Sequence, residues 1–142
     1  MTNADTVSVV VEREFPHPPE KLWRALTQPH LIEAWLMKND FVPRVGHRFH
    51  LRGDWGGVLD CEVLEIAEPE TLAYRWDFAN DNPAFDLRSI VTFTLTPTEA
   101  GTRLRMEQAG FRLDQAQASG GARHGWAQFL GKLETVLQQG KI

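Results

Sequence analysis

Cysteine is almost absent from this chain: Cys61 is the only one among 142 residues. No internal disulfide can form, so the fold must be held by its apolar core, and a reducing compartment is favoured. Cys61 lies between Asp60 and Glu62, whose negative charges disfavour a thiolate. We therefore interpret Cys61 as a small, half-buried strand residue and not as a nucleophile.

Long apolar runs are absent as well. No stretch approaches the roughly 18 apolar residues of a membrane span. The N-terminal MTNADTVSVVV also lacks the basic start and long apolar segment of a secretory leader. We expect a cytoplasmic protein without a leader and without a membrane span.

Runs of positive charge are missing too. The chain has 15 Lys and Arg against 19 Asp and Glu, for a net charge of −4, and its cations are scattered. Binding to nucleic acid leaves a basic patch or stripe in a sequence. We therefore predict no nucleic-acid partner.

Motifs for phosphate or metal chemistry do not occur. GDWGG is predicted to lie in a hairpin and opens no helix, unlike a phosphate-binding loop. His47 and His50 stand three residues apart within a predicted strand, so their side chains point to opposite faces. No ligand cluster accompanies them. The sequence predicts no metal and no cofactor, and it gives no residue a catalytic role.

Aromatic residues, by contrast, are abundant: the chain has five Trp and eight Phe, and 42% of it is hydrophobic. A chain of this size buries a sizeable core without disulfides or metal, so we expect one domain over 1–142. The aromatic side chains either fill that core or form the walls of a small-molecule pocket. Composition alone leaves both interpretations open.

The hydrophobic periodicity predicts an order of elements. A β-branched strand over 6–15 precedes two short helices, which begin near the prolines at 18–19 and at 29. Alternating apolar residues between 45 and 111 then predict five or six antiparallel strands separated by turns. The pattern is typical of an α+β fold.

The C-terminal HGWAQFLGKLETVL predicts a long helix with one apolar face. The residues of this face are Trp126, Phe129, Leu130, Leu133, Val136 and Leu137. The helix alone is long enough to cover the apolar face of the predicted sheet. Gly125 and Gly131 each cost about 1 kcal/mol relative to alanine, either because the backbone is closely approached there or because they are merely tolerated.

Arg13 shares strand parity with Val11 and Phe15, so a regular strand would point it inward. An unpaired charge there would be costly. Either a β-bulge turns the side chain outward or a carboxylate meets it. We favour the bulge, because the strand is close to its end.

Several segments resemble one family in order and spacing over nearly the whole chain. They are VEREFPHPPEKLWRALTQPHLIEAW, GHRF, LEIAEPETLAYRW, VTFTLTPTEAGTRLRMEQAGF and HGWAQFLGKLETVL. They are similar to the C-terminal-domain family of the activator of the heat-shock protein 90 ATPase, within the superfamily of START-related, birch-pollen-allergen and polyketide-cyclase domains. The resemblance implies a helix-grip fold, in which a curved antiparallel sheet wraps a long C-terminal helix. Gln108 departs from the family pattern, which often has a histidine there, and this argues against acid–base chemistry at that position.

The resemblance also implies where a ligand would lie, because related proteins hold apolar molecules between sheet and helix. Trp35, Trp76 and Trp126 come from elements that converge at one end of such a fold. Gln108 and Tyr74 would supply polar groups to an aromatic pocket. The predicted ligand-binding residues are Trp35, Tyr74, Trp76, Met106, Gln108, Trp126, Phe129 and Leu130. The alternative is a collapsed aromatic core without a cavity.

Three functions remain open. The first is a binding protein for a small apolar or aromatic ligand. The second is an enzyme of the polyketide cyclase or hydrolase kind, for which Tyr74, His124 and Asp77 are the proton-donor candidates. The third is a chaperone partner that stimulates the heat-shock protein 90 ATPase. It is disfavoured because 142 residues leave no room for the separate N-terminal domain of full-length activators.

Overall fold

The structure, a computed structural model, describes residues 6–139. The chain starts with β1 (Thr6–Phe15), followed by α1 (Pro19–Thr27) and α2 (Pro29–Trp35). Six further strands follow: β2 (Lys38–Asn39), β3 (Arg48–Arg52), β4 (Val58–Ala67), β5 (Thr71–Phe78), β6 (Leu87–Pro97) and β7 (Thr102–Arg112). A 3₁₀ turn at Leu113–Gln115 leads into α3 (Ala116–Gln138), which has 23 residues.

The seven strands form one antiparallel, curved sheet in the order β1-β7-β6-β5-β4-β3-β2. Strands β2 to β7 follow one another in space as they do in sequence, and β1 closes the far edge by pairing with β7. The long helix α3 packs on the inner face of this sheet beside the two short helices. The α+β helix-grip fold predicted from the family resemblance is confirmed.

The two short helices begin where proline allows a helix to begin. Pro19 and Pro29 are the first residues of α1 and α2, where the missing N–H loses no helical hydrogen bond. The helices are tied together by Trp35, whose indole N–H donates to the Ala25 carbonyl at 2.9 Å. Trp35 also meets Phe93 of β6 edge to face. These contacts fix the Trp35 ring between α1 and the sheet.

The C-terminal half of α3 packs on the core. Leu130, Leu133 and Leu137 are fully buried there. The inner rows of β6 and β7 alternate as expected, with Val91, Phe93, Leu95, Leu104, Met106 and Gln108 all buried. This part of the helix has large apolar side chains at every inward position.

Helix α3 begins at Ala116, eight residues before the predicted start at residue 124. The earlier part reads AQASGGAR and has no large apolar side chains. The periodic signal used to find the helix is therefore missing there. The two-residue strand β2 was not predicted either, because so short a segment has no period.

The preferred interpretation of Arg13 is wrong. The irregularity in β1 lies between Val7 and Ser8, and Arg13 is in regular register with Leu104. A carboxylate meets it instead: Arg13 Nη2 lies 3.0 Å from Glu134 Oε1 on α3. The arginine is 40% exposed, so this pair joins β1 to α3 at the surface.

Two further observations concern only the described residues. Between residues 6 and 139, no helix combines the length and apolar character needed to cross a bilayer. In the same range, no three His, Cys, Asp or Glu side chains are grouped so that they could hold a metal ion. The predicted single domain over 1–142 includes residues 1–5 and 140–142, which lie outside this range, and it stays a prediction.

Candidate functional site: a cavity beneath the N-terminal half of α3

A cavity of about 380 Å³ lies between the N-terminal half of α3 and the inner face of β4 to β7. The strands contribute Leu59, Trp76, Phe78, Leu87, Gln108 and Phe111. The helix and the turn before it contribute Gln115, Ala118, Gly121, Ala122, Gly125, Trp126 and Phe129. Met37, Trp55 and Phe85 complete the lining from connecting segments.

The hollow exists because one face of α3 has very small side chains. Ala118, Gly121, Ala122 and Gly125 line the cavity and follow the i, i+3, i+4, i+7 spacing of a single helix face. A Cβ added at Gly121 or Gly125 would meet no atom within 4 Å. Close approach of another backbone therefore does not explain the glycine at position 125. Its absent side chain leaves open volume.

Aromatic rings close one end of the cavity. The Trp76 and Trp126 rings are 5.1 Å apart between centroids, and Phe129 meets Trp126 edge to face at 5.6 Å. Trp126 also contacts Phe93 behind it, at 5.8 Å. These contacts fix the indole in place, so one end of the cavity has a rigid aromatic wall.

A buried hydrogen-bond chain connects the two tryptophans through Gln108. The Trp126 indole N–H donates to Gln108 Oε1 at 2.8 Å, and Gln108 Nε2 donates to Ser89 Oγ at 3.0 Å. Ser89 Oγ in turn donates to the Trp76 carbonyl at 2.5 Å. This chain uses one donor and one acceptor of the Gln108 amide, which has two of each.

A second glutamine ties the start of α3 to the loop between β5 and β6. Gln115 Nε2 donates to the Asp86 carbonyl at 2.7 Å and to the Pro83 carbonyl at 3.2 Å. Its Oε1 accepts the backbone N–H of Arg112 at 3.0 Å. The loop held in this way presents Phe85 to the cavity.

Two exposed aromatic residues stand at the rim. Trp55 is 62% exposed and Phe85 is 56% exposed, although both line the cavity. Trp55 lies across the β3–β4 turn, where a Cβ at Gly53 or Gly57 would overlap its indole. Its ring also meets Phe78 edge to face at 5.4 Å. The glycines of GDWGG therefore hold an aromatic side chain flat at the opening.

The profile of the family described as Activator of Hsp90 ATPase homolog 1-like protein matches residues 16–138. This chain belongs to that family. The family resemblance found from the sequence is thereby confirmed. The comparison with curated proteins finds no match.

Solved structures agree with this family membership. MLL2253 from Mesorhizobium loti is 66% identical with a TM-score of 0.92, and the match covers 96% of this chain and 100% of that protein. BH1534 from Bacillus halodurans is 25% identical with a TM-score of 0.78, over 92% and 96% of the two chains. DynU16, a protein of the dynemicin biosynthetic locus, is 25% identical with a TM-score of 0.80, over 96% of this chain and 48% of DynU16.

Four of the eight predicted ligand-binding residues line the cavity of this family member: Trp76, Gln108, Trp126 and Phe129. The other four, Trp35, Tyr74, Met106 and Leu130, are buried in the core and do not line this cavity. Their role in ligand binding stays a prediction. The tyrosine ring packs among Phe41, Phe49 and Phe93.

The three proton-donor candidates are not brought to the cavity. Burial, and then the nearby Cys61, raises the pKa of Tyr74, so its phenol gives up a proton less readily than an exposed tyrosine does. His124 is exposed on the far side of α3, with one ring nitrogen 3.3 Å from Gln128 Nε2. Asp77 Oδ1 accepts the backbone N–H of Ser89 at 3.0 Å. None of the three lines the cavity.

Cys61 is buried in β4, and burial is the main reason that its pKa is raised. The carboxylates of Asp77, Asp60 and Asp40 raise the pKa further. A thiolate is therefore strongly disfavoured, in keeping with a structural role for this side chain.

Sequence reasoning missed the rim and the small-residue face. Trp55 and Phe85 lie in turns, where no periodic pattern indicates that a side chain folds back over an opening. The small residues of α3 did leave a signal, because Ala118, Gly121, Ala122 and Gly125 follow helical spacing. Reading 116–125 as helix would have placed them on the same face as Trp126 and Phe129.

Proposed function

We propose that this protein binds a small apolar or aromatic molecule in the cavity between the sheet and α3. The observation that carries the proposal is the small-residue face of α3 beside the aromatic wall, which leaves about 380 Å³ unfilled. A volume of roughly 300–1,000 Å³ is typical of small-molecule pockets. A void of this size is unfavourable in a core that only needs to be packed.

The chemistry of the lining supports an uncharged ligand body. Sixteen described residues line the cavity and none of them has an ionisable side chain. A charged group placed among them would lose its hydration without gaining a partner. Apolar surface, by contrast, gains about 25 cal/mol for each Å² removed from water.

Gln108 supports a fixed orientation of that body. Its amide has a second N–H and a second lone pair beyond those used with Ser89 and Trp126. We infer that a ligand carbonyl, ether or hydroxyl group pairs with this amide. The pairing would resemble the few well-placed polar groups of other apolar pockets.

The test uses N-phenyl-1-naphthylamine, an uncharged aromatic probe whose fluorescence rises in apolar surroundings. Titration of the wild-type chain should give saturable binding. Gly125→Leu places a side chain in the volume that the probe would occupy and should weaken binding by roughly tenfold, because probe and leucine together would overfill the cavity.

Gly120→Leu is the matched control. Gly120 lies on α3 with no atom within 4 Å of an added Cβ, but it does not line the cavity. The control variant should bind the probe as the wild type does. Absence of saturable binding to the wild type, or equal weakening by the two leucines, would refute the proposal.

A further inference from the structure

A second recess of about 240 Å³ adjoins the cavity at its rim. The two hollows share Met37, Trp55 and Phe129 as lining residues. The recess differs in chemistry, because Lys38, Arg52 and Lys132 line it. These cations come from β2, β3 and α3, so three separate elements bring positive charge to one place.

Two of these cations face each other across neighbouring strands. Lys38 of β2 is the direct partner of Arg52 of β3 in the antiparallel register. Directly opposite residues have Cβ atoms about 4.5–5.5 Å apart, and like charges in such pairs are destabilising. The pair therefore opposes folding unless a negative charge lies nearby.

Carboxylates do not neutralise these cations within the described structure. Some arginines elsewhere on the sheet do have acidic partners: Arg103 lies 3.2 Å from Glu14, and Arg105 lies 3.0 Å from Glu107. No carboxylate oxygen of residues 6–139 lies within 4.0 Å of the charged nitrogens of Lys38, Arg52 or Lys132.

The recess does contain two acidic residues. Glu33 and Asp54 line it, but neither comes within 4.0 Å of a cation there. The three cations still exceed the two carboxylates, and a ligand anion can approach the cations more closely than these carboxylates do.

We propose that this recess takes the anionic group of an amphipathic ligand whose apolar body occupies the cavity. The anionic group is a carboxylate, sulfate or phosphate. This inference rests on the proposed function of the cavity. The two hollows differ in charge, since the cavity has no ionisable lining residue and the recess, which shares Trp55 with it, has three cations in its lining.

The experiment compares two probes with the same aromatic body. N-phenyl-1-naphthylamine is uncharged, and 1-anilinonaphthalene-8-sulfonate is the same molecule with a sulfonate. The wild type should bind the anionic probe more tightly. Added sodium chloride should weaken binding of the anionic probe, because salt screens exposed charges. It should leave binding of the neutral probe unchanged.

Lys38→Gln, Arg52→Gln and Lys132→Gln should each weaken binding of the anionic probe by up to about fivefold, the upper limit for one exposed ion pair. Affinity for the neutral probe should stay at the wild-type value. Arg75→Gln is the matched control: Arg75 is exposed on β5, does not line either hollow, and should bind both probes as the wild type does.

The possible outcomes separate the two proposals. The anionic recess is overturned if the wild type binds the neutral probe but shows no preference for the sulfonate. It is also overturned if all three variants bind the anionic probe as tightly as the wild type. Either result leaves the proposed function of the cavity in place. Failure of both probes to bind overturns both. Thermal unfolding of each variant distinguishes a loss of affinity from a loss of the folded structure.

Discussion

At the scale of single residues, the hydrogen bond from Trp126 to Gln108 stabilises the wall of the cavity. Trp126→Phe keeps a ring in place but leaves the buried Gln108 Oε1 without its donor. Such an orphaned acceptor costs about 1–3 kcal/mol. We expect that loss in the free energy of unfolding, measured with urea.

Trp23→Phe is the control for this substitution. Trp23 is also buried, but its indole nitrogen donates no hydrogen bond to another described residue. The control loses similar ring area without orphaning a polar atom. Equal destabilisation by the two substitutions would show that the bond to Gln108 contributes nothing.

Asp40 gives the molecule a pH-dependent contact. Its carboxylate accepts the backbone N–H of His50 at 2.6 Å, and this bond is the main reason that its pKa is lowered. Because the pKa of Asp40 is lower in the folded chain than in the unfolded chain, the unfolded chain takes up this proton first as the pH falls. Stability contributed by Asp40 is present at neutral pH and is lost in that acid range.

Asp40→Asn should therefore lower stability at neutral pH and flatten the acid limb of the stability curve. The measurement is urea unfolding at a series of pH values from neutral to strongly acid. If the stability curves of the wild type and Asp40→Asn differ by the same amount at every pH, Asp40 does not contribute the pH-dependent stability.

At the scale of elements, α3 carries glycines that the fold does not require. A Cβ at Gly125 would meet nothing within 4 Å, and one at Gly131 would meet only Arg13 Nη1 at 3.8 Å. Gly125→Ala and Gly131→Ala should each raise stability by up to about 1 kcal/mol through helix propensity. Thermal unfolding measures the gain.

Gly110→Ala should do the opposite. Gly110 has φ of +125°, and an added Cβ would overlap the Arg88 carbonyl of the neighbouring strand. Substitution there should lower the melting temperature. A loss of stability in the two α3 variants as well would mean that the helix needs its glycines.

The loop between β5 and β6 depends on the glutamine before α3. Gln115→Ala removes the bonds to the Pro83 and Asp86 carbonyls. Hydrogen exchange should then speed up at the Phe85 and Asp86 amides, which donate to the Asn82 carbonyl.

Gln117→Ala provides the comparison, since Gln117 is an exposed residue of the same helix. It should leave those two amides protected. If the two amides also stay protected in Gln115→Ala, the loop is held by its own turn and not by Gln115.

Elements with a clear period could be predicted from the sequence, and those without one could not. The strand with Val91, Phe93 and Leu95 has its expected alternation, because one of its faces is buried along its whole length. The first half of α3 has only alanine and glycine on the face that lines the cavity, so the large apolar residues that mark a helical period are missing there. Half of the predicted site residues line the cavity. The other half lie in the core, because burial in a core and burial beside a cavity favour the same apolar and aromatic residue types.

At the scale of the whole molecule, the space under α3 is filled at one end and open at the other. Leu130, Leu133 and Leu137 close the filled end, whereas Gly121 and Gly125 leave the other end open. Close packing at one end supplies stability, so the open end can remain unfilled without unfolding the chain. The protein of Mesorhizobium loti, at 66% identity, offers the same backbone for comparing how that open end is lined.

Three of the five tryptophans lie on the cavity, and this gives the protein optical properties of its own. The Trp76 and Trp126 indoles are 5.1 Å apart and inclined by 49°, so their electronic transitions couple and rotate polarised light as a pair. Trp55, open to water at the rim, emits at longer wavelength than the two enclosed rings. A molecule entering the cavity would pass Trp55, with its longer-wavelength emission, and then change the coupling between Trp76 and Trp126.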